Sequence, residues 1–66
     1  MVVILNGQKE KIPRGTALGE FLKSKGANFD EIVVELNESV IETKNYNQTI
    51  LKENDRLEVL RFVGGG

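Results

Sequence analysis

The chain contains no cysteine, no histidine and no tryptophan, and only one proline. The first two absences exclude most self-contained chemistry. Without cysteine there is no thiol nucleophile, no side-chain persulfide, no disulfide and no thiolate metal site. Without histidine there is no imidazole base and no imidazole ligand. Most pairings of a nucleophile with an activating base are therefore closed to it, and the composition points away from an enzyme. An excess of one charge is also missing. Nine Lys and Arg face ten Asp and Glu, for a formal net charge of −1, and the two signs are interspersed. That argues against the electrostatic footprint of a nucleic-acid or membrane binder. No apolar run approaches a membrane span, and the N-terminus carries no secretory pattern. The expectation is a soluble, cytoplasmic protein that is monomeric when free.

Sixty-six residues make one small domain, near the lower limit for folding alone. With no disulfide to staple it, a regular apolar core must hold it together. Val2-Val3-Ile4-Leu5 is a β-branched run from the start of the chain. Asn6-Gly7 follows, a strong hairpin signal because both residue types tolerate positive φ. Gln8 to Ile12 is predicted to return as the second strand, ended by Pro13-Arg14-Gly15. Thr16 is placed to cap a helix beginning at Ala17. Leu18, Phe21 and Leu22 share one helical face, Lys23 and Lys25 sit where cations suit the helix dipole, and Gly26 fits a left-handed stop. Gly19 weakens this helix, so packing must stabilise it.

Ile32-Val33-Val34-Glu35-Leu36 reads as a strand inside the sheet, because its apolar run is nearly continuous. Asn37-Glu38-Ser39 turns the chain into a short strand at Val40-Ile41. Thr43 to Lys52 is polar and irregular, with Tyr46, Ile50 and Leu51 as expected anchors. Asn54-Asp55 is a turn before a last strand from Arg56 to Phe62. Hairpin, helix, strand, short strand and final strand give an α+β arrangement, a mixed sheet of four to five strands covered by one helix. This is the order of a β-grasp domain, expected over residues 1–62 with a flexible glycine tail at 63–66.

The last strand and its tail are the candidate site. Side chains alternate across a strand, so Leu57 and Val59 share one face and Glu58, Leu60 and Phe62 the other. If the first pair packs under the helix, Leu60 and Phe62 face outward as a docking patch. The acidic residues Glu53, Asp55 and Glu58 form either a solvated face or a surface for a basic partner. Asp55 alone reads as a turn residue. Val63-Gly64-Gly65-Gly66 then follows the strand directly. Such a tail is either an idle end or a stalk without side chains that carries a terminal carboxylate. An α-carboxylate is ionised in the cell. It can attack the α-phosphate of ATP when an enzyme holds Mg²⁺ and positions both groups. Ordering each tail residue costs roughly 1–2 kcal/mol, which a separate docking surface has to offset.

The Val-Gly-Gly-Gly end after Asp-Arg-Leu-Glu-Val-Leu-Arg-Phe resembles the ThiS family of sulfur carriers. So do the short first strand ending in Asn6-Gly7, the Val34-Glu35-Leu36-Asn37 turn into the fourth strand, and the compact length. The resemblance implies a ubiquitin-like β-grasp fold. It also implies a protein cosubstrate that binds no cofactor itself, whose ATP and Mg²⁺ are used by a ThiF-type adenylating enzyme. Gly66 is then the acyl group that becomes a thiocarboxylate, with Gly65 its partner in the diglycine and Gly64 part of the stalk. A donor such as a cysteine desulfurase supplies the sulfur, and a ThiG-type thiazole synthase receives it for the thiazole of thiamine. Three alternatives share the residues: a MoaD-like small subunit of molybdopterin synthase, a ubiquitin-like protein modifier, and an interaction module whose glycines are idle. The short spacing between helix and last strand favours ThiS over MoaD.

Overall fold

The structure, a computed structural model, describes residues 1–61. Its strands are β1 (Val2–Leu5), β2 (Gln8–Lys11), β3 (Ile32–Leu36), β4 (Ser39–Ile41) and β5 (Arg56–Arg61); helix α1 spans Leu18–Ser24. Two 3₁₀ segments, Phe29–Glu31 and Thr43–Gln48, complete the regular structure among the described residues. The strands form one mixed sheet in the order β2-β1-β5-β3-β4. β1 and β5 run parallel and the other neighbours antiparallel. The expected layout of helix over mixed sheet is therefore present, with five strands.

Local chemistry explains the corners. Asn6 and Gly7 both take positive φ, 48° and 85°, as a primed two-residue hairpin turn requires. Asn37 and Glu38 do the same between β3 and β4, at 50° and 74°. The helix begins one residue later than expected, and Thr16 does not cap it. Ala17 occupies the N-cap position. The Thr16 hydroxyl instead donates to the Pro13 carbonyl at 2.7 Å, and the Glu20 carboxylate accepts from the Ala17 amide at 3.0 Å. A tertiary contact sets this start: Leu18 N–H donates to Thr49 O and Leu51 N–H to Thr16 O, which tie the helix entry to the segment before β5. The helix stop is as expected. Gly26 at φ 76° lets its own amide reach Lys23 O and the Ala27 amide reach Leu22 O, the double closure of a Schellman end.

The core lies between α1 and one sheet face. Val3, Leu18, Leu22, Val34, Tyr46 and Leu57 are its most completely buried side chains. Each large aliphatic among them contributes about 1.5–3 kcal/mol by burial. Gly19 is buried where α1 meets the Thr43–Gln48 segment. A Cβ at Gly19 would lie 1.9 Å from Asn47 Oδ1 and 3.3 Å from Asn47 Cα, so glycine here permits close approach rather than merely weakening the helix.

That 3₁₀ segment corrects the expectation of an irregular stretch. Tyr46 and Leu51 are buried anchors, and Phe29 meets Tyr46 edge to face at 5.0 Å. Ile50 is not an anchor; it is half exposed. Its antiparallel bridge to Ala17 imposes strand-like alternation, which turns Leu51 inward and Ile50 out. No helix among the described residues is long and apolar enough to cross a membrane.

Candidate functional site at the end of the last strand

β5 is the central strand, and its surroundings follow from register. On one flank it pairs with β3 from Leu57 opposite Leu36 to Arg61 opposite Ile32. On the other flank it pairs with β1 only at Arg56 and Leu57, opposite Ile4 and Leu5. β1 stops there because Asn6-Gly7 turns the chain away. The Asn6 side chain then continues the ladder by one step. Its Oδ1 accepts from Val59 N–H at 2.8 Å and its Nδ2 donates to Val59 O at 3.3 Å.

The expected alternation along β5 is present. Leu57 is buried and Val59 packs against the core, while Glu58 and Leu60 face away from the helix. Leu60 is 58% exposed, opposite Val33 in register, and Val33 is 38% exposed. Val40 on β4 adds a third outward apolar side chain, 65% exposed, opposite Glu35. An apolar patch therefore occupies the open sheet face near the end of β5. The sequence reading found Leu60 but not Val33 or Val40. For Val33 the signal was present: Glu35 interrupts the apolar run, which marks Val33 and Glu35 as one face of a strand covered on the other face only.

Charges surround this patch. Lys9 and Lys11 lie on β2, in register with Ile4 and Val2, at the far side of the open face from Leu60. Glu35 and Glu58 sit opposite one another between the cations and the patch. Asp55 does not join them. It is buried, its Oδ1 accepts from Asn37 Nδ2 at 3.0 Å, and its Oδ2 accepts from the Lys52 amide at 2.7 Å. Asp55 is thus a turn residue, as its place before β5 predicts, and is removed from the acidic surface. Glu53 is also engaged, accepting from the Val2 amide. Glu58 alone of the three remains outward on the sheet. Among the described residues no group of acidic side chains is arranged to hold a metal. Phe62, Gly64, Gly65 and Gly66, the rest of the expected site, lie outside the described residues, as does the tail expected at 63–66.

The sequence model of the ThiS family matches residues 3–66, which includes the last strand and the glycines beyond it. The chain belongs to the ThiS family. Its fold is similar to the crystal structure of a thiamine biosynthesis protein (ThiS) from Geobacter metallireducens, with a TM-score of 0.84 and 32% identity over the whole of both chains. In sequence it is 35% identical, over all 66 residues, to a thiazole synthase of Magnetococcus marinus. It is 31% identical over 62 residues to the uncharacterised protein ycf40 of Pyropia yezoensis, covering 87% of that protein. The chain spans about a fifth of the length of the thiazole synthases it matches, from Magnetococcus marinus and Paramagnetospirillum magneticum. In those relatives a region like this chain belongs to a much longer polypeptide.

Proposed function

We propose that this chain is a sulfur carrier of thiamine biosynthesis, and that the carboxylate of Gly66 carries the sulfur. The observation behind this reading is the ThiS family match running through the glycine end, in a sequence with neither cysteine nor histidine. With those side chains absent, the backbone acid is the group best suited to carry activated sulfur.

The chemistry follows from the carboxylate. One carboxylate oxygen attacks the α-phosphorus of ATP, pyrophosphate leaves, and an acyl-adenylate forms at Gly66. A donor sulfur at the sulfide level then attacks the acyl carbon and AMP departs, which leaves a thiocarboxylate. The catalytic groups and Mg²⁺ belong to a ThiF-type activating enzyme. Gly64 and Gly65 present the acyl group without a Cβ to obstruct a narrow channel. The open-face patch around Leu60, together with Phe62, is the docking surface that offsets the ordering of the tail. The receiving partner is a ThiG-type thiazole synthase, a reading supported by relatives that bear that name.

Removal of Gly65 and Gly66 tests this reading. The truncated chain is expected to keep its fold and melting temperature, because the buried hydrophobic residues of the core run from Val3 to Leu57. It is expected to support no ATP–pyrophosphate exchange with a ThiF-type enzyme. Sulfur transfer that survives the truncation would contradict the carrier mechanism and favour an interaction module with idle glycines.

A further inference from the structure

The two flanks of β5 are held differently, and one side chain accounts for the difference. On the β3 flank, backbone pairing continues to Arg61. On the β1 flank, backbone pairing ends at Leu57, and Asn6 takes over with both halves of its carboxamide on Val59. Past Asn6 that flank borders a cavity of about 270 Å³, lined by Leu5, Asn6, Val59 and Arg61 among others. Among the described residues, Asn6 is thus the last group gripping β5 on this side before the chain runs toward its glycines.

We propose that Asn6 is a positioning residue for the C-terminal acyl group: it clamps the β1 flank of the last strand at Val59, and so helps set the direction in which the chain beyond Arg61 is presented. The inference rests on the sulfur-carrier reading for its consequence, but not for its geometry. Two features fit asparagine to this place. Its backbone at φ 48° is a conformation that asparagine tolerates better than most residues. Its amide also offers an acceptor and a donor on one short arm, which matches the N–H and C=O that one strand residue exposes on one edge. Aspartate keeps the acceptor but sets a negative charge against Val59 O. Glycine keeps the backbone and removes the clamp.

The molecule supplies its own control. Asn37, also at positive φ, uses Oδ1 to accept from Arg56 N–H at 2.9 Å at the opposite end of the same strand. It additionally binds the buried Asp55. Asn37→Gly therefore removes an equivalent clamp from β5 far from the tail, at no smaller cost in stability.

The experiment compares full-length wild type, Asn6→Gly, Asn6→Asp and Asn37→Gly. Backbone ¹⁵N relaxation is measured at Leu57, Leu60 and Arg61, and ATP-dependent adenylation by a ThiF-type enzyme is followed at a temperature where all four are folded. Asn6→Gly is expected to lower the order parameters at Leu60 and Arg61 but not at Leu57, and to reduce kcat/KM about tenfold. Asn6→Asp is expected to fall between Asn6→Gly and wild type. Asn37→Gly is expected to lose stability while leaving kcat/KM near wild type. Unchanged order at Leu60 and Arg61 in Asn6→Gly overturns the proposal whatever the reaction does. Equal loss of kcat/KM in Asn6→Gly and Asn37→Gly overturns it too, by reducing Asn6 to a structural role. A wild-type chain that is never adenylated contradicts the sulfur-carrier reading and the catalytic consequence with it, while the relaxation data still decide the clamp.

Discussion

The two faces of the sheet obey the same alternation and end in opposite situations. Under α1, Val3, Val34 and Leu57 are sealed from water. On the other face their strand neighbours Ile4, Val33, Glu58 and Leu60 have no second layer above them among the described residues. The covered face holds the domain together. The open face contributes little to stability and leaves an apolar patch beside the strand that leads to the glycines. A small domain without disulfides can seal one face with a seven-residue helix and leave the other available to a larger partner.

Substitutions on the two faces separate these roles. Leu57→Ala, on the covered face, has the largest expected effect: a loss of about 2–5 kcal/mol, measured by urea denaturation. A loss under about 1 kcal/mol would mean that the central strand is not gripped by the core as described. Gly19→Ala comes next, with an expected loss of about 1–3 kcal/mol from overpacking against Asn47. The double variant with Asn47→Ala should recover part of it; a neutral Gly19→Ala would show that the close approach of α1 and the 3₁₀ segment is relaxed in solution. On the open face, Leu60→Ser should change stability by no more than about 0.5 kcal/mol yet raise the KM for the activating enzyme severalfold. An unchanged KM would remove Leu60 from the docking surface. The smallest effect on activation belongs to Glu58→Lys, which replaces a like-charge cross-strand pair with Glu35 by an opposite-charge one. It should gain about 0.2–1 kcal/mol and weaken activation only if Glu58 meets a basic partner surface.

Much of the covered face was legible in the sequence because each cue there was local. The Asn6-Gly7 turn, the i, i+3, i+4 spacing of Leu18, Phe21 and Leu22, and the Gly26 stop each need only near neighbours. What the sequence concealed came from contacts between distant residues. Thr16 has the right chemistry for a cap, but the bonds of Leu18 to Thr49 and Leu51 to Thr16 set the helix entry one residue later. Ile50 is apolar, but its bridge to Ala17 decides that Leu51 points inward instead. Asp55 reads as a turn residue, but its burial depends on Asn37 binding it from 18 residues away. The second use of Asn6, on a strand 53 residues distant, leaves no local trace because its turn propensity already explains its presence. At the site, Leu60 followed from strand alternation, whereas its companion Val40 required the β3–β4 register.

The central claim is that the sulfur rides on the backbone acid of Gly66. It is tested most directly by intact-mass measurement, with fragmentation of the C-terminal peptide, after incubation with a ThiF-type enzyme, ATP and a sulfur source. The account predicts replacement of one oxygen by sulfur, confined to Gly66. Sulfur found on any other residue, or no exchange while a known carrier in the same mixture is converted, would contradict it.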